Sequence, residues 1–366
     1  MRIGINTLFL ERPETGSGQY TQNLLAALAK VDPTNEYVSI SPPPRIRNPH
    51  CAFRNLGKLW FEQVSFPRPC RPLDLAHVPY FAPPLFPTVP TVVTIHDLVP
   101  LILPAYRGSL LVRLYTQLVT VAARKAKAII TVSQASQRDI VRHLHVPPER
   151  VHVTYEAVGE AFQPVEDKAQ LAAIRQKYGL PERYLLYLGG FDQRKNLPAL
   201  LSAFALLVNR QPQARLVIAG QLPGRDSPLF PDPLRLVREL GVEERVIFTG
   251  WVSEDDKPVL FSGAAAFVFP SLYEGFGLPP LEAMACGTPV IASSRASLPE
   301  VVGEGGILVE PMDVEALAQA MEDLWVDEAL RAELRQKALS QAARFSWKQT
   351  ALDTLAVYGK VVAKDG

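Results

Sequence analysis

The sequence predicts an α/β protein built from two Rossmann-like, doubly wound domains in tandem, and three observations carry that expectation. The chain has 366 residues, too many for one ordinary core and suited to two domains of about 150 to 200 residues each. Short runs rich in Val, Ile, Leu and Tyr recur along it and are apolar at nearly every position, as in parallel strands covered on both faces. Helical patterns separate these runs, and strand, helix, strand repeated through both halves gives the doubly wound arrangement.

In the first half the strand runs are RIGINTLFL, EYVSIS, TVVTIHDL, KAIITVS and RVHVTY; in the second they are YLLYLGG, RLVIAG, RVIFTGWV, AAFVFPS, PVIASS and GILVEP. YTQNLLAALAK, LPALLSAFALLVN and VEALAQAMEDLW are helical stretches between them. The opening run is broken by Asn6 and ended by charge, with no small-residue cleavage site behind it, so it reads as a first strand. The seam is expected in VTYEAVGEAFQPV, residues 153 to 165, which places the domains at 1–158 and 159–345. Proline clusters at 42–44 and 79–90 shape loops more than they form linkers.

Hydrophobic residues make up 48% of the chain and charged residues 20%, which excludes a disordered protein. No run approaches the roughly 18 to 20 apolar residues of a spanning helix. Cys51, Cys70 and Cys286 are odd in number and lack a CxxC spacing, which argues against a disulfide framework and a zinc site and favours a cytoplasmic protein. The net charge of +1 conceals +8 over residues 1–155 and −7 over the remainder. In residues 45–72 six Arg/Lys face Glu62 alone and alternate with Phe53, Trp60, Phe61 and Phe66. Such a segment fits an anionic membrane surface or acceptor, or else a solvated loop with its aromatic side on the core. Nucleic acid would need a basic face that survives the acidic second half, so none is expected as a partner.

Ligands of such folds sit beyond the carboxyl ends of the strands, where loops lead into helix N-termini. There the sequence places EGFGLPPLEAMACGTPVIA, residues 274–292, with Glu274 and Glu282 eight positions apart. Pro279 and Pro280 suit a first helical turn and Gly287 a C′ cap, so a helix is expected over about 279–286 with Glu282 in its first turn. Gly275 and Gly277 expose backbone N–H groups suited to phosphate, whereas the two carboxylates suit the hydroxyls of a ribose or hexose. An acid-stabilised helix start would account for Glu282 by itself. After YLLYLGG, Arg194 and Lys195 are adjacent cations that fit a diphosphate leaving group, although such a pair is also common on solvated surface.

Gly16 and Gly18 precede a helix and form another anion contact by expectation, but Thr21 stands at the third glycine position of a dinucleotide fingerprint, which weakens an NAD-dependent oxidoreductase. His96 and Asp97 close TVVTIHDL: the histidine either meets a substrate hydroxyl or belongs to a turn in which Asp97 caps the next segment. The acidic SEDD, residues 253–256, reads as Ser253 capping a helix with acids in its first turn, so no metal is expected.

With these residues in place, the sequence resembles the retaining glycosyltransferases of family 4, the glycosyl transferases group 1, which have the two-domain GT-B fold. EGFGLPPLEAMACGTPVIAS resembles that family's signature of two glutamates with seven residues between them. FDQRKN, TIHDL, KAIITVSQASQRDI and GILVEPMDVEALAQAM match in kind and order. The resemblance implies two domains facing a central cleft, an acceptor-binding domain at 1–158, a donor-binding domain at 159–345, and a closing helix over 346–366 that returns to the first domain. It implies that Glu282 holds the ribose of a nucleotide diphosphate sugar, that Glu274, Phe276, Gly277 and Leu278 hold the donor sugar and phosphates, that Arg194 and Lys195 take the diphosphate, and that His96 faces the transferred sugar. Val252 and Trp251 would lie near the base. Gly190 stands where many relatives carry arginine, which shifts the diphosphate onto Arg194 and Lys195.

The resemblance further implies transfer with retention and without a metal, cofactor or protein nucleophile. The TIHDLVP context looks like the mannosyltransferase branch, hence GDP-mannose as donor, with a UDP-sugar as the alternative. The acceptor would be a glycan or lipid-linked sugar at the inner face of a membrane. A catalytically silent scaffold that binds a sugar nucleotide is the reading from another class.

Overall fold

The computed structural model describes residues 1–12, 15–43 and 54–363. Arg45, Arg47, Cys51 and Phe53 of the basic segment lie outside the described residues. The chain divides into two units, Met1–Glu156 with Ser346–Gly366, and Ala157–Phe345.

In the first unit six parallel strands run in the order β2-β1-β3-β4-β5-β6, with β1 Arg2–Asn6, β2 Glu36–Ile40, β3 Leu75–Val78, β4 Thr91–Ile95, β5 Ala128–Thr131 and β6 Val151–Val153. Every position of β3, β4 and β5 is buried, because helices cover both faces and leave no side for polar alternation. At two places this sheet differs from the expected strands. RIGINTLFL is a strand only to Asn6, whose side chain accepts the Leu8 N–H at 3.1 Å and turns the chain into a short 3-10 helix, Leu8–Glu11. The central strand β3, in LDLAHV, was absent from the expected runs because it is four residues long, follows prolines and contains His77.

His77 is explained by the chain's end. The helix Trp347–Ala363 belongs to the first unit, where Thr350 Oγ1 donates to the Tyr155 carbonyl at 2.6 Å and the Tyr358 hydroxyl meets His77 Nδ1 at 2.6 Å. His77 Nε2 lies 2.8 Å from Thr94 Oγ1. Burial pushes the His77 pKa down to about 3, so the imidazole stays neutral, with both nitrogens engaged.

The second unit holds six parallel strands in the order β12-β11-β10-β7-β8-β9, with β7 Leu185–Leu188, β8 Leu216–Ala219, β9 Val246–Gly250, β10 Ala266–Phe269, β11 Val290–Ser293 and β12 Gly306–Val309. All six coincide with the apolar runs of the sequence. The strand order reverses between β7 and β10, the crevice where open α/β sheets place ligands. The loops leaving those two strands carry Arg194, Lys195 and Glu274.

The SEDD acids differ from expectation. The helix that follows begins at Lys257, and 254–256 is a turn before it. Ser253 Oγ donates to Asp256 Oδ2 at 2.6 Å in place of capping a first turn, and Asp256 also accepts from Lys177 and Tyr178. Lys257 pairs with Glu254 at 2.6 Å, so cations and hydroxyls take up these carboxylates.

Candidate active site

After β7 the chain makes a 3-10 turn, Gln193–Lys195, and then the helix Leu197–Arg210, with Asn196 between them at φ 59°. Asparagine tolerates this left-handed backbone better than most side chains. Its buried amide donates to the carbonyls of Pro270 at 3.2 Å and Pro311 at 2.7 Å, tying the turn to the loops beyond β10 and β12. The Arg194 carbonyl accepts the Leu272 N–H at 2.7 Å, which fastens the same turn to the loop after β10.

Two side chains of that turn meet the second loop. Arg194 Nη1 donates to Glu274 Oε2 at 2.7 Å and to the Tyr273 carbonyl at 3.0 Å. Lys195 Nζ donates to Glu274 Oε1 at 2.7 Å and lies 4.9 Å from the centre of the Phe269 ring. Ser271 Oγ donates to Glu274 Oε1 at 2.6 Å, and Asp192 Oδ1 is 3.4 Å from Arg194 Nε. All four charged side chains are more than four-fifths buried, and the two cations balance the two acids. Burial opposes the charge of Glu274, but Lys195 and Arg194 outweigh it and hold the carboxyl below its ordinary pKa. The donors expected for Glu274 from sugar hydroxyls are therefore supplied in the structure by protein cations and a serine.

The loop onward is pinned from behind. Ser297 Oγ lies 2.9 Å from the Glu274 carbonyl and also meets the Phe276 carbonyl, and the Phe276 ring packs edge-on to Phe345 at 5.7 Å. Gly277, at φ 121°, is the last residue before the helix Leu278–Ala285, and a Cβ there would stand 2.8 Å from Leu298 Cδ2. Only glycine meets both demands. Gly275 is buried with Phe276 and Gly277, and Leu278 opens the helix.

The helix begins one residue earlier than the prolines predict, so Glu282 is its fifth residue and sits in the second turn, away from the free N–H groups. The two glutamates consequently belong to separate charge networks. Glu282 is 5% exposed, and among the described residues none donates a hydrogen bond to its carboxyl. Burial pushes its pKa up to about 7, with Lys257 lowering and Glu254 raising it to smaller extents. Nearby in sequence to that Lys–Glu pair, Trp251 is exposed and Val252 buried.

In the first unit His96 follows β4. Its Nδ1 lies 2.9 Å from Glu156 Oε1 and its Nε2 3.1 Å from the Pro79 carbonyl. Both partners are acceptors, so the ring satisfies them only as an imidazolium that donates from each nitrogen. Burial opposes that charge, but the hydrogen bond and charge of Glu156 outweigh it and raise the pKa. Neither nitrogen is left for a substrate hydroxyl; Asp97 accepts the Val99 N–H at 3.1 Å, the capping turn that the sequence also allowed. Gly16 and Gly18 open the helix Gly16–Val31, but the Gly18 N–H is taken by Thr15 Oγ1 at 3.2 Å, and a Cβ on Gly18 would stand 2.1 Å from the Arg12 carbonyl oxygen. Close packing against that turn accounts for Gly18 without a ligand.

With this geometry in place, comparison with known proteins is decisive. Residues 172–341 match the description Glycosyl transferases group 1 and residues 15–160 match Glycosyltransferase Family 4. The chain is 35% identical to O-antigen chain mannosyltransferase B of Escherichia coli over 269 residues, covering 73% of this chain and 69% of that protein. It belongs to this glycosyltransferase family.

The serotype-specific mannosyltransferase WbdA of Escherichia coli is 36% identical over 265 residues, 71% of this chain, and the chain spans about a third of that relative's length (32%). Among solved structures, Anabaena HepE in complex with UDP and glucose aligns with a TM-score of 0.74 at 19% identity, covering 98% of this chain and 100% of that one, which shows the shared GT-B fold. Three residues that position candidate side chains, Ser271 and Ser297 in the second unit and Glu156 in the first, were not singled out in the sequence. Ser271 closes the quoted run AAFVFPS, directly after Pro270, a signal that could have been read. Ser297 and Glu156 act on partners 21 to 60 positions away and carry no local mark.

Proposed function

We propose that the protein transfers a sugar from a nucleotide diphosphate donor, GDP-mannose first and a UDP-sugar second, to a glycan or lipid-linked acceptor at the inner face of a membrane, with retention and without a metal. The observation that carries this reading is the Arg194, Lys195 and Glu274 cluster at the reversal of strand order. A diphosphate brings two or more anionic oxygens to two buried cations and displaces Glu274 from them, which leaves its carboxylate to accept the donor sugar's hydroxyls. The mannosyltransferase relatives favour mannose, and HepE's complex makes UDP the second choice.

The bond between the anomeric carbon and the diphosphate oxygen breaks, and its electron pair passes to that oxygen, where Arg194 and Lys195 neutralise the growing charge. The acceptor hydroxyl forms the new bond on the same face and gives its proton to the departing diphosphate. Glu282 accepts the ribose hydroxyls, and the Gly275–Leu278 backbone contacts the phosphates. The test is product analysis by proton NMR with GDP-mannose, EDTA and a panel of glycan and lipid-linked acceptors. We expect a product with the anomeric configuration of the donor and a rate unaffected by EDTA; an inverted product, or activity abolished by EDTA and restored by a divalent cation, overturns the corresponding part of the proposal.

A further inference from the structure

The helix Leu110–Lys125 is apolar on two opposite faces. Val119, Ala122 and Ala123 are buried, and Val119 and Ala123 enter the core of the first unit. On the other side Leu110, Leu114, Leu118 and Val121, spaced i, i+4, i+8 and i+11, form one stripe, of which Leu110, Leu114 and Val121 are exposed and Leu118 is half-buried. Leu110 is 71% exposed and the adjacent Leu111 77%. At the helix's far end Lys125 Nζ lies 4.9 Å from the ring of Phe86, itself 74% exposed. Burial in the protein's own core explains the first face and leaves the second without a reason.

The charge along the helix and the chain on either side of it has a single sign from Leu98 to Arg138. Residues 98–138 contain Arg107, Arg113, Arg124, Lys125, Lys127 and Arg138 and not one acid. The neighbouring segment, bonded to this helix through the Tyr115 hydroxyl and Glu62 at 2.9 Å, has Glu62 fully buried, while Leu56 and Trp60 of that segment are exposed. A second copy of the chain seated face to face would oppose cation to cation, whereas anionic lipid headgroups offer the opposite charge and acyl chains accept the leucines.

We propose that the outer face of Leu110–Lys125, with Phe86 and the flanking Arg107 and Arg113, is the surface by which the protein docks on an anionic bilayer. It deepens the acceptor side of the proposed function by placing the membrane on a named face, and it does not depend on the donor nucleotide. Of the basic segment to which the charge split first drew attention, Glu62 and Lys58 meet this helix at Tyr115.

The test is co-sedimentation of the full chain, with no nucleotide or acceptor, on vesicles of phosphatidylcholine with phosphatidylglycerol and of phosphatidylcholine alone, at low and high salt. We expect at least roughly tenfold tighter binding to the anionic vesicles, lost at high salt. Leu110→Asp with Leu114→Asp, at exposed positions that leave the core intact, abolishes binding; Arg107→Glu with Arg113→Glu lowers it to the level of neutral vesicles. Equal binding to both vesicles, or binding unchanged in the leucine variant, overturns the proposal. So does a dimer of the free protein that the leucine variant converts to monomer, because the occupant would then be a second copy. Since the vesicles hold no sugar, failure here leaves the donor reading standing, and failure of transfer leaves this surface standing.

Discussion

Glu274→Gln is expected to lower the protein's stability and at the same time to enlarge the stabilisation that a nucleoside diphosphate confers. The substitution keeps the side chain's shape and removes the charge that Lys195 and Arg194 share at 2.7 Å each. Breaking a buried ion pair from one side costs about 3 kcal/mol, because the desolvated partner is left uncompensated. Here two cations are left against Asp192 alone. A diphosphate then meets cations that no longer need to be taken from Glu274, so the rise in melting midpoint with GDP or UDP is larger than in the wild type. Transfer falls by roughly a hundredfold or more, since the carboxylate assigned to the donor sugar is gone. Thermal unfolding with and without nucleotide reads the first two effects. A variant as stable as wild type, or one whose nucleotide increment shrinks, contradicts the exchange of Glu274 for diphosphate.

The second large effect is the pH dependence set by Glu282. Burial pushes its carboxyl up to about 7 in the folded protein, against an ordinary value of 4.5. Between those values the folded state holds a proton that the unfolded state has lost, so this group's contribution is greatest below the unfolded value and declines as pH rises through 7, by about 3 kcal/mol in all. Glu282→Gln removes that slope and raises stability above pH 7. Ligand binding runs the other way. Ribose hydroxyls donate to the ionised carboxylate, so nucleotide affinity falls as pH drops below about 7, approaching tenfold per pH unit, with a proton released on binding. Titration calorimetry in buffers of different ionisation enthalpy reads both. Wild-type affinity that is flat between pH 6 and 8, or that keeps its slope in Glu282→Gln, removes Glu282 from the ribose.

The parts of this protein that a sequence discloses are those written in local periodicity. β7 to β12 each coincide with an apolar run because a strand covered on both faces needs no polar position, and Gly277 and Gly287 mark the start and end of a helix by their positive φ. What stayed hidden depends on partners far along the chain. β3 is a strand because His77 is satisfied by Thr94 and by Tyr358, 281 positions away, which no window around LDLAHV contains. Likewise, the cations on the Glu274 carboxylate stand 79 and 80 positions upstream, and the carboxylate on the His96 ring stands 60 positions downstream, beyond any local window. Glu282 falls one position deeper in its helix than expected for a smaller reason: the prolines mark the first turn of a helix without saying which residue begins it.

The central claim is that the turn carrying Arg194 and Lys195 receives the diphosphate of a nucleotide sugar. The most direct measurement is the melting midpoint of the wild type and of Lys195→Ala with millimolar GDP, UDP, ADP and dTDP in turn. We predict that GDP raises the wild-type midpoint more than the other three and that Lys195→Ala loses the increment. No increment with any nucleotide, or one that Lys195→Ala leaves intact, contradicts the claim.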